Sequence, residues 1–461
     1  MQPSTISRWL PSSSGLAAYA DDLRKGVVTA TAATAAYLDR IQRVNPVLNA
    51  YVHIASESAM RQAHEIDALL AQGKDLGPLM GVPIAVKDNI VVAGMPTRAG
   101  SNVIIDDLLG LEGSLVQTLR QAGCIILGKV HTVEFAMGSA GTNYAVGAPR
   151  NPRDMTQARV AGGSSSGSAV AVAAGLCGFA LGSDTGGSIR MPAAFCGVVG
   201  FKPSRSAWER DGVFPLSRNL DALGILSADT ADAQYIWEAL SGTSDVVDHA
   251  SLEGLRIGVP KQFFQYVDPV IDSAVRAACD RFAEAGAKII DVDLAEFDEW
   301  NKRYVDVCDI EFLADFGEER FRHNAHMMNA DVQQRLQASL VQDFKTYELG
   351  LLDIKRWRQE ANNHFTQVDL WLGPTKQNLP PALPATYEPD RHKETIMRCI
   401  GPTRFANVLD LAALSLPIAT ETGSLPTGLQ LAAPAAQASW LLSIAAQMEL
   451  TLGAYPRAIF D

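Results

Sequence analysis

Apolar residues recur at helical spacing over 16–24 and 30–44, the second run predicted to stop at Asn45-Pro46, and helical character resumes over 56–70. Val82-Pro83-Ile84-Ala85-Val86 is short, apolar and bounded by Gly81 and Lys87-Asp88-Asn89, which predicts a buried strand running into a polar loop. A helix over 114–122 and a strand over 124–127 follow. The stretch 138–167 is rich in glycine, serine and asparagine, hence a loop with special backbone geometry. Beyond it come an Ala/Val helix (168–174), a strand (179–181) and a glycine-rich polar turn (183–188). Strands at 255–259 and 288–292 flank a helix at 271–285. Residues 297–368 read as helical and more polar, carrying Trp300, Met327, Met328 and Trp357; strands at 369–372 and 415–418 and a helix at 439–450 complete the pattern. Alternating strands and helices predict an α/β fold, a sheet covered on both faces.

Composition narrows the class. The chain has 461 residues, 47% hydrophobic and 20% charged, which supplies a large core and is too apolar for disorder. That length predicts two lobes or one wide sheet. Against 51 acidic residues stand 39 Lys plus Arg, a net charge of −12. With no basic stripe, nucleic acid and anionic membrane are poor partners, whereas small molecules remain open. Six scattered cysteines without a C-x-x-C pair predict buried free thiols in a reducing compartment. The first residues lack the uninterrupted apolar stretch of a signal peptide. The most apolar run, 169–181, ends at Gly182-Ser183-Asp184, short of the roughly 20 residues a membrane span needs. The expectation is a soluble, cytoplasmic protein, monomer or homodimer.

Two motifs compete for attention. Gly123-Cys124-Ile125-Ile126-Leu127-Gly128-Lys129-Val130 approaches a phosphate-binding loop, but Val130 replaces the hydroxyl residue and the interior is an apolar strand. Gly163-Ser164-Ser165-Ser166-Gly167 fits the G-x-S-x-G elbow of α/β-hydrolases, which would make Ser165 an esterase nucleophile. Such an elbow follows a buried strand, and Gln157-Ala158-Arg159-Val160-Ala161 is a weak one. The eight histidines show no ligand spacing, so neither a metal nor another cofactor is expected.

Three polar features remain: Lys87 at the end of its strand, the run Gly162-Gly163-Ser164-Ser165-Ser166-Gly167-Ser168, and Gly182-Ser183-Asp184-Thr185-Gly186-Gly187-Ser188-Ile189-Arg190. Alone, the lysine reads as a snorkelling surface residue and each glycine-serine stretch as a turn. Together they suggest more. A Thr-Gly-Gly-Ser turn directs successive N–H groups at one spot, as a tetrahedral oxyanion requires. Ser188 then stands as a nucleophile in need of a base. No histidine is well placed; a buried Lys87, its charged form disfavoured, supplies one through a relaying hydroxyl.

These pieces closely resemble the amidase signature family. The resemblance is carried by 81–89, Gly94-Met95-Pro96-Thr97, Asn151-Pro152, 162–174 and 182–200, and resumes at Asn407 and Leu425-Pro426-Thr427-Gly428-Leu429-Gln430-Leu431. It is weak only near 297–368. It implies one large α/β domain over 1–461: a mixed, mostly parallel central sheet with helices on both faces, a core motif region at 81–203 and a variable helical insertion around 297–368. Position by position, it implies Lys87 as base, Ser164 as the relay serine after a cis peptide, and Ser188 as the nucleophile that becomes acylated. The N–H groups of Thr185, Gly186, Gly187 and Ser188 would form the oxyanion hole, with Ser165, Asp184 and Arg190 as supports. Ser166 departs from the family, where glycine is more usual.

Two activities in the family compete. One is a free-standing amidohydrolase acting on linear amides, carbamates or aryl esters of small molecules. The other is the A subunit of a glutamine-dependent glutamyl/aspartyl-tRNA amidotransferase, a glutaminase supplying ammonia to a partner. Such subunits usually carry glutamine where Met191 stands and Tyr-Gly-Arg-Val-Ser where Ser204-Arg205-Ser206-Ala207-Trp208 stands, so the free-standing hydrolase is preferred. Specificity is expected in the helical segment and in 138–144. Its tryptophans and methionines read as core by default; as pocket residues they would point to an apolar or aromatic group.

Overall fold

The computed structural model describes residues 15–242, 251–383, 388–399, 401–420 and 425–456. Eleven strands form one sheet: β1 (Tyr51–Ile54), β2 (Pro83–Lys87), β3 (Ile125–Val130), β4 (Phe179–Asp184), β5 (Val199–Lys202), β6 (Ala222–Ser227), β7 (Arg256–Pro260), β8 (Lys288–Val292), β9 (Leu370–Pro374), β10 (Ala412–Ile418) and β11 (Thr427–Ala433). Their spatial order is β1-β3-β2-β4-β6-β5-β10-β11-β9-β7-β8.

The sheet is mixed as expected, but it is not mostly parallel. Parallel pairing is confined to β2 with β3 and β4 and to β7 with β8 and β9. All other neighbours, including the whole centre from β4 to β9, run antiparallel. A parallel neighbour needs a crossover of a dozen or more residues, usually helical. The β4–β5 connection contains only the short helix Arg190–Cys196, and β6 inserts between the two strands instead.

Alternation along the central strands sends side chains to two cores. Leu370 and Leu372 of β9 join the aliphatic core that includes Leu441 and Met448 of the helix Ala438–Leu452. Trp371, between them, joins an aromatic core on the other face with Trp300, Trp357, Phe263 and Phe405. That second core is roofed by the helices Phe297–Phe316, Ala330–Ser339 and Phe344–Glu360, the helical segment in which the resemblance fades.

One boundary moved for an identifiable reason. The helix Ala30–Leu48 passes through Asn45-Pro46 and ends on Asn49 in the left-handed conformation. Proline sits in its last turn, where one donor is lost, and Asn45 Oδ1 and Nδ2 bond the Tyr51 backbone at 2.8 and 3.1 Å, fastening the helix end to β1. The near-match to a phosphate-binding loop is the strand β3, as its apolar interior indicated, and is entirely buried. Lys129 in it pairs with Asp88 at 3.2 Å. Its amides belong to the ladder, so the segment offers no cradle. All six cysteines are free and buried.

Candidate active site

Lys87 closes β2 and Ser183-Asp184 closes the neighbouring parallel strand β4. Both strands therefore deliver polar side chains to the carboxyl edge of the sheet, where open α/β sheets hold ligands. Lys87 is fully buried. Its Nζ donates to Ser164 Oγ at 2.8 Å, Ser183 Oγ at 2.8 Å and the Ser183 carbonyl at 3.3 Å. Burial pushes the amine from its ordinary 10.5 down to about 7, against the opposing pull of Asp221 and Asp184.

Ser164 follows a cis peptide, Gly163–Ser164, and is also fully buried. Ser165 links this segment to the next: its N–H donates to the Ser188 carbonyl at 3.0 Å and its Oγ to the Ser183 carbonyl at 3.1 Å. That geometry overturns the esterase alternative. Ser165 is buried with its hydroxyl committed, and residues 157–161 make only isolated bridges in place of the strand an elbow needs.

Ser188 opens onto a cavity of about 890 Å³. The turn before it is organised by Asp184, whose carboxylate accepts the N–H groups of Gly187 at 2.8 Å and Ile189 at 3.0 Å and pairs with Arg190 at 2.9 Å. Burial would raise Asp184, but Arg190 overrides it and holds the carboxyl well below the usual range. Arg190 spends its other donors on Asn407 Oδ1 (2.7 Å), Gln430 Oε1 and the Thr403 carbonyl (both 2.8 Å). Thus Asp184 and Arg190 sit where supports of the turn were expected. Gly187 is a correction: its N–H is engaged by Asp184, so it shapes the turn in this state, leaving Thr185, Gly186 and Ser188 as the expected oxyanion donors.

The two glycines answer to close neighbours. A Cβ on Gly186 would lie 2.8 Å from the Tyr304 ring, and one on Gly187 (φ +122°) 2.2 Å from Thr403 Oγ1. Thr403 Oγ1 in turn donates to the Gly186 carbonyl at 2.5 Å. Thr185 Oγ1 donates to Asp221 Oδ1 at 2.5 Å. Burial raises the Asp221 carboxyl. Sequence reasoning missed Ser183, Asp221, Thr403 and Tyr304. Ser183 was visible as the first hydroxyl of the glycine-rich turn, and Tyr304 lies in the helical segment where specificity was expected; Asp221 and Thr403 lie on segments whose pattern carried no site signal.

The cavity wall also corrects a pointer. Trp300 and Trp357 are 1% and 2% exposed in the aromatic core and do not line the cavity. The helical segment contributes Tyr304 and Arg335 instead, while 138–144 contributes Gly138 and Ser139 and the helix Arg190–Cys196, which follows Ser188, contributes Met191. The tryptophans therefore give no support to an aromatic substrate. Among the described residues no group of three or more His, Cys, Asp or Glu is placed to hold a metal, and no helix is long and apolar enough to cross a membrane.

Comparison with known proteins meets this geometry at family level. The Amidase family model matches residues 32–442, and the chain belongs to that family. It is a serine amidohydrolase. It is 34% identical to the 2-amino-5-chloromuconic acid deaminase of Comamonas testosteroni, over 95% of this chain and 96% of that protein. It is also 33% identical to the A subunit of the glutamyl-tRNA(Gln) amidotransferase of Synechococcus sp. (strain RCC307), over 94% and 96%. A crystal structure described as an amidase superposes with a TM-score of 0.85 at 31% identity, covering 94% of this chain and 99% of that one.

Proposed function

We propose that Lys87, Ser164 and Ser188 are the base, relay and nucleophile of a free-standing hydrolase of small amides. One observation carries the reading: a buried amine, its pKa lowered to about 7 so that a substantial fraction is neutral at pH 7, sits 2.8 Å from the Ser164 hydroxyl, beside the turn that presents Ser188 to the cavity. Neutral Lys87 takes the proton of Ser164, and Ser164 takes that of Ser188 as its Oγ attacks the carbonyl carbon. The oxyanion forms against the amides of Thr185, Gly186 and Ser188; one such donor is typically worth about 2.7–4 kcal/mol. The proton returns through Ser164 to the departing nitrogen, the C–N bond breaks, and the acyl group remains on Ser188 Oγ. Water then attacks by the same route, giving up its proton to the relay and releasing the acid.

The amidotransferase alternative is disfavoured by a residue on the cavity wall. Met191 lies on the wall with Ser188, at the position where the A subunits of that enzyme usually carry glutamine. A cytoplasmic setting, no nucleic-acid partner and a monomer or homodimer complete the proposal. The Comamonas relative is named for deaminating a small organic acid, which agrees with a small-molecule substrate. The test is to assay the purified chain alone on glutamine, aliphatic amides, anilides and carbamates, and to quench it for mass spectrometry. Turnover of amides other than glutamine, with an acyl group on the Ser188 peptide that Ser188→Ala abolishes, is expected. Glutamine-only turnover would overturn the free-standing reading, and acylation elsewhere would overturn the nucleophile.

A further inference from the structure

The charged groups on the cavity wall are mostly matched to one another. Arg335 is clasped by Asp309. His392 faces Asp331 at 3.5 Å. Lys393 and Asp390 stand exposed at the rim, three residues apart on one helix. Arg404 is different. It lines the cavity half-buried, and among the described residues its guanidinium has neither an ion pair nor a side-chain hydrogen bond. It rests instead on the Tyr304 ring, with the guanidinium carbon 4.6 Å from the centroid.

That stacking fixes where the charge lies. The same ring abuts Gly186, and residue 403 is bonded to the Gly186 carbonyl through Thr403 Oγ1. Arg404 is thus held one aromatic ring away from the turn that surrounds Ser188. A planar guanidinium stacked on an aromatic face keeps its N–H edges free and pre-oriented, the arrangement suited to bidentate pairing with a carboxylate. Stacking also restricts the side chain before ligand arrives, lowering the entropy lost on binding. No carboxylate of the described residues fills that edge.

We propose that Arg404 binds a carboxylate carried by the substrate, so that the enzyme acts on amides bearing an acid group close to the scissile bond. The proposal rests on Ser188 being the nucleophile of the cavity and adds the class of molecule it attacks. Two series test it: ω-amic acids such as succinamate and glutaramate, with the charge on the acyl side, and N-acylglycines, with the charge on the amine side. Each acid is compared with its methyl ester at the other carboxyl. Wild type is expected to favour the acid in one series by at least about tenfold in kcat/KM. Arg404→Gln should reduce that ratio to near unity, chiefly through KM, and Arg404→Lys should restore part of it. A ratio unchanged in Arg404→Gln, or a wild-type preference for the ester, overturns the proposal. Should wild type cleave neither series, calorimetry on Ser188→Ala decides. Tighter binding of acid than ester, lost when Arg404→Gln is added, upholds the carboxylate site although the amide reading falls; equal binding overturns it.

Discussion

Lys87 Nζ and Ser183 Oγ lie 2.8 Å apart at the ends of two paired parallel strands, and Ser183 Oγ also accepts from Asn89 Nδ2 at 3.1 Å. Hydroxyl and carbonyl oxygens, not a carboxylate, surround the buried amine. A carboxylate in contact would favour the ammonium form; dipoles alone leave burial to dominate. The strand register therefore creates a lysine that can act as a base near neutrality.

Activity should follow that amine. Its pKa is lowered in the folded protein from 10.5 to about 7, and the working form is unprotonated. So kcat/KM should be level above about pH 7 and fall about tenfold per unit below it. Ser183→Ala removes an acceptor that favours the ammonium and should move this acid limb to lower pH while lowering the plateau. Stability should respond as well. Between about 7 and 10.5 the unfolded chain holds the lysine proton and the native state does not, so stability contributed by this group rises with pH there, and Lys87→Met removes the slope. A flat rate profile down to pH 5 would rule out Lys87 as the base.

The two serines should separate by chemistry. Ser188→Ala should leave no acyl-enzyme and no measurable turnover. Ser164→Ala retains the nucleophile but breaks the path to Lys87, so acylation and deacylation should both slow by about 10²–10⁴-fold. Stopped-flow and quenched mass spectrometry on one activated anilide read both steps. Circular dichroism melts of the two variants should match wild type to within a few degrees.

Much of this site was legible because its chemistry lies in local runs. Ser164 and Ser188 stand in glycine-rich stretches no core would choose, and Lys87 follows an apolar strand that had to be buried. Pairings were less legible. Nothing local told Asp221 that it would receive Thr185, or Thr403 that it would press on Gly187; sequence separations of 36 and more than 200 residues are closed only by the fold. The sheet's direction failed for a similar reason. Strand–helix alternation suggests parallel crossovers, yet β5, β6 and β11 are short apolar runs whose antiparallel returns leave no mark in hydrophobic periodicity.

The Asp184–Arg190 pair should be structural before it is functional. Both side chains are fully buried, and together they reach the turn, Asn407, Gln430 and the Thr403 carbonyl. Removing one charge strands the other, at a cost of about 3–5 kcal/mol. Asp184→Asn and Arg190→Leu should each lower the denaturation midpoint accordingly and abolish activity. Arg190→Lys cannot reproduce a fork that bonds four partners and should also fail. Chemical denaturation with unchanged m-values checks it; a variant that keeps wild-type stability while losing activity would move the pair into the chemistry itself.

Specificity and packing can be told apart in the helical segment. Trp300 is buried against Trp357 and Trp371, with ring centroids 6.5 and 6.2 Å away. Trp300→Ala should therefore destabilise the fold by about 3–5 kcal/mol and leave the ranking of substrates as it was. Met191 meets the cavity directly, on the helix that begins just after Ser188. Met191→Ala should change the ranking across a panel of acyl chains with little loss of stability, because a wall residue on an open cavity leaves no sealed void. The comparison is made by competing the panel in one reaction and following each product. If Trp300→Ala reorders the substrates and Met191→Ala does not, specificity is not set at the cavity wall that holds Met191.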